Sequence, residues 1–559
     1  MEEPKQEWIV TLHRKEDLED FYNDMETPGG NLYIPDREVE VSKRRTISRN
    51  THYMLTRSEV ELVKADDRVW DVELAELIDI TTRPSYKIEN GEFSKSWAGD
   101  ADDINWGLLR QSESSNRSGW GDGGTTQVIS DLTITSSGKH VDVIIVDGHI
   151  DPDHPEFAVN PDGSGGSRVV QYNWFQNDIG SGTGTYQYDR SGSYTNAIDA
   201  VDNDHGCHCG GTVAGNTQGW ARDANVYNIS PYSTNPNWTA LGFSSSTYWD
   251  YMRAWHNAKP INPATGRKNP TVTNNSYGSG ITPGNNNFGN VTRVNYRGMD
   301  FAPGRDCTLA ELNTRGFGND SLVDYAFPNY FTSRQADIQD AIDDGIIIVA
   351  SAGNDYWKIC TPTDQDYNNV CYLTYFGFNY NFYYNRGTGS GAGYAPVIVV
   401  GATSNDSNED KASFSNCGDQ VDVYGAGEAI QSSIHTPSGQ VGSSRTDPRD
   451  SSYYLGKYQG TSMSAPQIAG ILALLAESWP NMTQAEAHAW IINNANENQM
   501  FDSGADDPTD WQSLRGGANL FARWINQRPE SGTSYPQKNF RPRASSGRVY
   551  PRPRIRRRG

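Results

Sequence analysis

Two hydrophobic patterns divide the chain. Over the first hundred residues the apolar runs are short. Trp8–His13 (WIVTLH) suits a strand and Lys15–Met25 an amphipathic helix. Thr51–Leu55 suits a second strand. Thr56 and Glu59 then stand at the spacing where hydroxyl and carboxylate cap each other's backbone, so a helix reaching Ala65 is predicted. Val69–Leu74 alternates like another strand. Two strand–helix pairs in this order predict a small α+β unit of the split βαβ kind over residues 1–80. Residues 81–103 are polar and turn-rich and read as a linker.

From about residue 104 the runs become continuous: VDVIIVD (141–147), ANVYNI (224–229), TVTNNSYG (271–278), GIIIVASAG (345–353) and PVIVVGA (396–402). Helices are predicted from His205, across 246–258, 334–344, 461–478 and 483–496. Alternating strands and helices predict an α/β unit over 104–525, a parallel sheet with helices on both faces. Three stretches, 152–200, 279–333 and 355–394, lack strong periodicity and read as long loops, the last crowded with Tyr and Phe.

Composition adds a charge asymmetry. The 559 residues carry a formal net charge of -22, yet 541–559 hold eight Arg and no acid, which leaves about -30 (-22 minus 8) on the rest. So acidic a body argues against nucleic acid as its main partner. The Pro/Arg-rich tail, 526–559, reads as a disordered end able to contact acidic surfaces or nucleic acid. Six Cys do not make a disulfide scaffold, although Cys360 and Cys371 lie close enough in sequence to pair. MEEPKQEW has neither a basic n-region nor an apolar h-region, and no run of about 18 apolar residues occurs. No signal peptide and no membrane span are therefore expected. The compartment stays open among cytosolic, virion-associated and unconventionally exported.

Four segments carry candidate chemistry. Gly460-Thr461-Ser462-Met463-Ser464-Ala465-Pro466 precedes a helix of small apolar residues. A serine there either caps the helix or serves as a nucleophile on a sharp turn. Asp147 ends an apolar strand, where a carboxylate can orient an imidazole or cap a turn. With Asp151, Asp153 and Glu156 it also permits a calcium reading, but EF-hand spacing is absent. Asp204-His205-Gly206-Cys207-His208-Cys209 offers two imidazoles and two thiols. Adjacent ligands on one helix do not close a tetrahedron, so cysteines filling small cavities and a structural His208 are the better reading than a metal site. Gly345 to Asn354 is a strand ending in Ala-Gly-Asn, which alone is a turn signal.

Taken in the order Asp, His, Asn, Ser, these segments resemble the subtilisin-like serine proteases (subtilases, peptidase S8 family). The spacings are 58 (205 minus 147), 149 (354 minus 205) and 108 (462 minus 354) residues, longer than in compact members. Asn274-Asn275-Ser276-Tyr277-Gly278, Tyr394–Tyr424 and Trp106-Gly107-Leu108 extend the resemblance over most of 104–500. It implies Ser462 as nucleophile, His205 as general base, Asp147 as its orienting carboxylate and Asn354 with the Ser462 N–H as oxyanion donors. Ser276, Tyr277, Gly278, Ala352 and Gly353 would border the S1 cleft. These walls hold no charge, which favours an apolar P1 residue unless Asp355 turns inward. The N-terminal unit resembles an inhibitor-type propeptide, an intramolecular partner cut free within the linker of an autocatalytic zymogen. The expected function is a serine endopeptidase acting on proteins or peptides. No cofactor is needed for this chemistry; structural calcium is frequent in the family, and no ligands are assigned. The competing reading is a catalytically silent subtilase-fold protein of a virion or surface assembly. Against it stands the presence of all four reactive residue types.

Overall fold

Continuous apolar runs demand burial on both faces, and a single eight-stranded sheet provides it. In the computed structural model its order is Asn225–Ile229, Asp142–Val146, Thr271–Asn275, Ile347–Ser351, Ile398–Thr403, Val423–Ala426, Leu520–Phe521 and Asn496–Glu497. All pairings are parallel except that of Asn496–Glu497 with Leu520–Phe521. The structure describes residues 5–74, 105–115, 134–174, 204–230, 247–316 and 331–525, with short interruptions (the longest 282–290, 388–395 and 438–443), plus the strands at 88–89 and 327–328.

Successive residues of the Asp142 strand show the two faces. Val143 and Ile145 pack with the helices His205–Ala214, Thr461–Ser478 and Gln484–Asn494. Ile144 and Val146 pack against Trp249, Met252 and Ile338 of the helices Thr247–Ala258 and Thr332–Asp343. The register sets Val146 opposite both Ile229 and Asn275. Asp147, Ser230 and Ser276 thus leave the sheet together at its C-terminal edge, where ligands collect in open α/β sheets.

The N-terminal unit is an antiparallel four-stranded sheet, order Glu40–Arg44, Asn50–Leu55, Gln6–Leu12, Val69–Leu74. The helices Leu18–Glu26 and Arg57–Val63 bury Phe21, Tyr22, Met25, Val60 and Val63 against it. The Thr56–Glu59 capping box forms, and the helix ends at Val63 rather than Ala65. Two expectations need correcting. The stretches 279–333 and 355–394 are not only loops: Val291–Tyr296, Met299–Phe301, Val370–Tyr375 and Phe378–Phe382 pair as a second antiparallel sheet. Cys360 and Cys371 are not bridged, and all six cysteines are free and buried. The Cys360 thiol donates to Asp364, while Cys371 lies in the inserted sheet's own core with Val294, Trp357 and Leu373. Most of the linker, residues 175–203 and the tail 526–559 lie outside the described residues. No helix among the described residues is long and apolar enough to cross a membrane.

The N-terminal unit docks on the helices Thr247–Ala258 and Thr332–Asp343. Arg45, fully buried, is 2.7 Å from both Asp250 and Asp337, themselves fully buried. Ser48 and Asn50 also donate to Asp337. Glu73 accepts the backbone N–H of Thr332 and, at 2.6 Å, of Ser333, while Thr332 Oγ1 donates to Asp71. Around these, Arg49 and Arg253 pair with Asp340, Arg253 also with Asp344, and Lys64 with Asp71.

Burial, with Asp71 beside it, pushes the Glu73 carboxyl up to about 7. Burial, reinforced by Asp250 and opposed by Arg45, pushes Asp337 up to about 6. Both bind a proton more tightly docked than in water, so docking takes up protons. This contribution is complete below the ordinary carboxyl range, about pH 4, and is lost as pH rises through about 7. Hydrogen-exchange protection of residues 6–74, corrected for intrinsic rates, should accordingly be higher at pH 5 than at pH 8. Protection that grows with pH would contradict the assignment.

Candidate active site

Asp147 leaves the sheet edge and accepts the Gly148 N–H on Oδ1 at 2.7 Å. The same oxygen lies 2.5 Å from His205 Nδ1. With Nδ1 donating to the carboxylate, the neutral ring keeps its lone pair at Nε2. His205 opens a helix whose ten residues are all buried. Gly206 has no alternative there, since a Cβ would meet the Gly148 carbonyl oxygen at 2.0 Å. This contact presses the helix start onto the loop that carries Asp147.

Ser462 lies in the first turn of Thr461–Ser478, after Gly460 at φ 154°. Its N–H is one of the four first-turn donors that an α-helix leaves without an intrahelical acceptor. Its Oγ is 3.3 Å from the Ser276 carbonyl oxygen, and the Ser276 hydroxyl donates back to the Ser462 carbonyl at 3.2 Å. Cys209 joins this serine to the histidine: its Sγ is 4.0 Å from each ring nitrogen of His205 and donates to the Ser462 carbonyl at 3.3 Å.

Asn354 is clamped to the serine turn. Its Oδ1 accepts the Thr461 N–H at 2.8 Å and the Thr461 hydroxyl at 2.9 Å. A backbone N–H can only donate, so the accepting atom is the amide oxygen and the amide NH₂ faces away from Thr461. Gly353, at φ 101°, donates its N–H to Thr461 Oγ1 at 3.1 Å. Ala352 is fully buried, with its carbonyl held by Asn416 Nδ2 at 2.8 Å. Asn416 had no signal in the sequence, yet it organises this wall: its Oδ1 also accepts the N–H groups of Asp355 and Trp357. Asp355 itself is exposed. On the other wall, Ser276 is buried and Gly278 exposed. Tyr277 is half-buried, its hydroxyl held by Tyr248 at 2.6 Å and by Asn275 at 3.2 Å.

The four-ligand metal reading of 205–209 does not fit this geometry. Cys207 donates toward Ser433, and His208 Nε2 bonds the Ile430 carbonyl oxygen at 2.8 Å. Burial pushes the His208 imidazole down to about 3, so it stays neutral. Asp147, His205 and Cys209 do converge, with one ligand atom each lying within 4.8 Å of the others, as do those of Cys360, Asp364 and Asp419. In the second group Lys358 already brings an ammonium to Asp364. Two of the acids after Asp147 already have partners. Asp151 pairs with His435, whereas Glu156 takes Arg449, the Thr217 hydroxyl and two backbone N–H groups.

A model of the subtilase family matches residues 138–511, a span that includes Asp147, His205, Asn354 and Ser462. Subtilisin E of Bacillus subtilis (strain 168) is 30% identical over 168 residues, which is 30% of this chain and 33% of that protein. Alkaline serine exoprotease A of Vibrio alginolyticus is 22% identical over 358 residues, 62% of this chain and 45% of the other. The crystal structure of a cold adapted subtilisin-like serine proteinase is 18% identical, covering 75% of this chain and 98% of its own, with a TM-score of 0.41. The chain spans only a third of the length of Subtilisin E and of Subtilisin NAT. With the family model extending over about two thirds of it, the chain belongs to the subtilase family.

Proposed function

We propose that this chain is a serine endopeptidase that hydrolyses peptide bonds through an acyl-enzyme. Ser462 Oγ attacks the substrate carbonyl carbon, and His205 Nε2 takes its proton. His205 returns that proton to the leaving amine, and water then releases the acyl group by the same route. Asp147 keeps the proton of His205 on Nδ1. The Ser462 N–H and the Asn354 amide stabilise the oxyanion. The observation that carries this reading is the clamp of Asn354 on Thr461. It ties an amide donor to the backbone of the candidate nucleophile's own turn, beside an imidazole already paired with a carboxylate.

The N-terminal unit acts in this reading as the intramolecular inhibitor, freed by a cut within the linker, residues 81–103. Purified protein should acquire a new N-terminus in that interval, while Ser462→Ala stays at full length. Equal processing in both would assign the cut to another protease and remove the evidence for a zymogen.

Substrate preference follows from the walls. Neither Ser276–Gly278 nor Ala352–Asn354 contains a charged side chain, so a Lys or Arg at P1 finds no buried partner there, whereas an apolar side chain gains about 25 cal/mol per Å² buried. A positional peptide library should be cut after large apolar residues at least about tenfold faster than after Lys or Arg, a gap of about 1.4 kcal/mol. Preference for a basic P1 would place Asp355 at the floor of the cleft.

A further inference from the structure

An aspartate directly before a helix ordinarily caps it, accepting a first-turn N–H from an extended backbone. Asp204 does neither. It sits at φ 63°, a left-handed conformation that residues other than glycine seldom adopt, and its side chain makes no cap bond to the His205 helix. It is 1% exposed, and both carboxylate oxygens are turned on a distant segment. Oδ1 accepts the His435 N–H at 2.8 Å. Oδ2 accepts the Thr436 N–H at 3.0 Å and the Thr436 hydroxyl as well.

The segment that Asp204 holds follows the strand Ile430–Ile434 and reaches the other half of the imidazole–carboxylate pair. His435 Nδ1 is 2.7 Å from Asp151 Oδ2, on the loop that begins at Asp147. Residues 435–436 thus link the two partners' segments, tied to the residue before His205 by three donors and to the Asp147 loop by one imidazole. The start of the His205 helix itself meets Gly148, with no room for a single methyl group on Gly206. Two independent backbones are thereby held at one spacing, and that spacing is the one between His205 and Asp147.

We propose that Asp204 is a positioning residue for His205, acting through the strap at 435–436; the inference rests on the proposed peptidase function. Its carboxylate sets the direction in which the imidazole leaves the helix, so its loss lowers the rate of Ser462 activation without touching substrate binding. The left-handed backbone is the geometric cost of pointing that carboxylate away from its own helix.

Three variants of the full-length chain separate backbone from carboxylate. Glycine accepts φ 63° without a side chain, alanine supplies neither feature, and asparagine tolerates the conformation and keeps one acceptor oxygen. The readouts are the rate of fluorophosphonate labelling at Ser462 and kcat and KM on a peptide. Asp204→Ala and Asp204→Gly should both label about 10–100-fold more slowly, the scale of a misplaced reacting group, with KM within about threefold of wild type. Asp204→Asn should fall between them and wild type. Thr436→Val, which removes one of the three donors, should cost about two- to fivefold on the same measure, a fraction of the full loss. The proposal is overturned if Asp204→Gly labels as fast as wild type, or if the variants change KM and leave kcat alone. Should Asp204→Ala fold poorly, the comparison of Gly with Asn still decides. A wild-type chain that never labels would refute the peptidase reading itself, a different result from equal labelling of wild type and the Asp204 variants.

Discussion

Ser462→Ala should abolish peptide hydrolysis, a loss on the order of 10⁶-fold in kcat, the scale known for removing the nucleophile of subtilisin. The melting temperature should hardly move. Among the described residues the hydroxyl bonds the Ser276 carbonyl at 3.3 Å, and alanine suits the first turn of a helix. His205→Ala should cost nearly as much, and the double variant little more, because the members of the proposed triad would act as a unit. Asn354→Ala should lose about 10²–10³-fold, or 2.7–4 kcal/mol, again the magnitude found in subtilisin. His208→Ala belongs to a different class. It empties a buried site bonded to the Ile430 carbonyl and packed against the Tyr458 ring, so it should lower stability more than kcat. Comparable rate losses for His205→Ala and His208→Ala at equal stability would reassign the base.

Arg45→Met should loosen the N-terminal unit by about 3–5 kcal/mol, the usual consequence of breaking a buried ion pair from one side. Methionine replaces the apolar stem but leaves Asp250 and Asp337 facing each other inside the seam, both fully buried and without their guanidinium. Hydration or protonation of one aspartate offsets part of this, which is why the loss should shrink at low pH. Limited proteolysis would reveal residues 6–74 as newly cleavable, with the body from Trp106 onward unaffected. If the unit is an inhibitor, the same variant should also show faster hydrolysis by the uncut chain. Unchanged protection of 6–74 would mean that the Glu73 contacts with Thr332 and Ser333 suffice to hold the seam.

What was legible in the chain was whatever depends on neighbours in sequence. The run GTSMSAP and the small residues after it place a helix at Thr461–Ser478, because its start is a local glycine turn. The Thr56–Glu59 spacing gave a capping box that forms as read. Residues 40–44 (EVSKR) offer one large apolar side chain and give no strand signal, although they complete the N-terminal sheet from its edge. The inserted sheet escaped for another reason. It joins Val294 to Cys371, and no local period announces a pairing that far apart. The seam is more remote still, with Ser48 and Asp337 separated by 289 positions. In the candidate site the motifs named Asp147, His205, Asn354 and Ser462. They could not show that Asn416 and Thr461 hold the walls, or that Asp204 declines to cap its helix, since each of these depends on where a second backbone passes.

Mass spectrometry of the wild-type chain after treatment with a fluorophosphonate tests the proposed nucleophile. One adduct, on Ser462, is expected, and it should disappear in His205→Ala although the serine is still present. An unmodified chain, or an adduct on any other serine, would contradict that assignment.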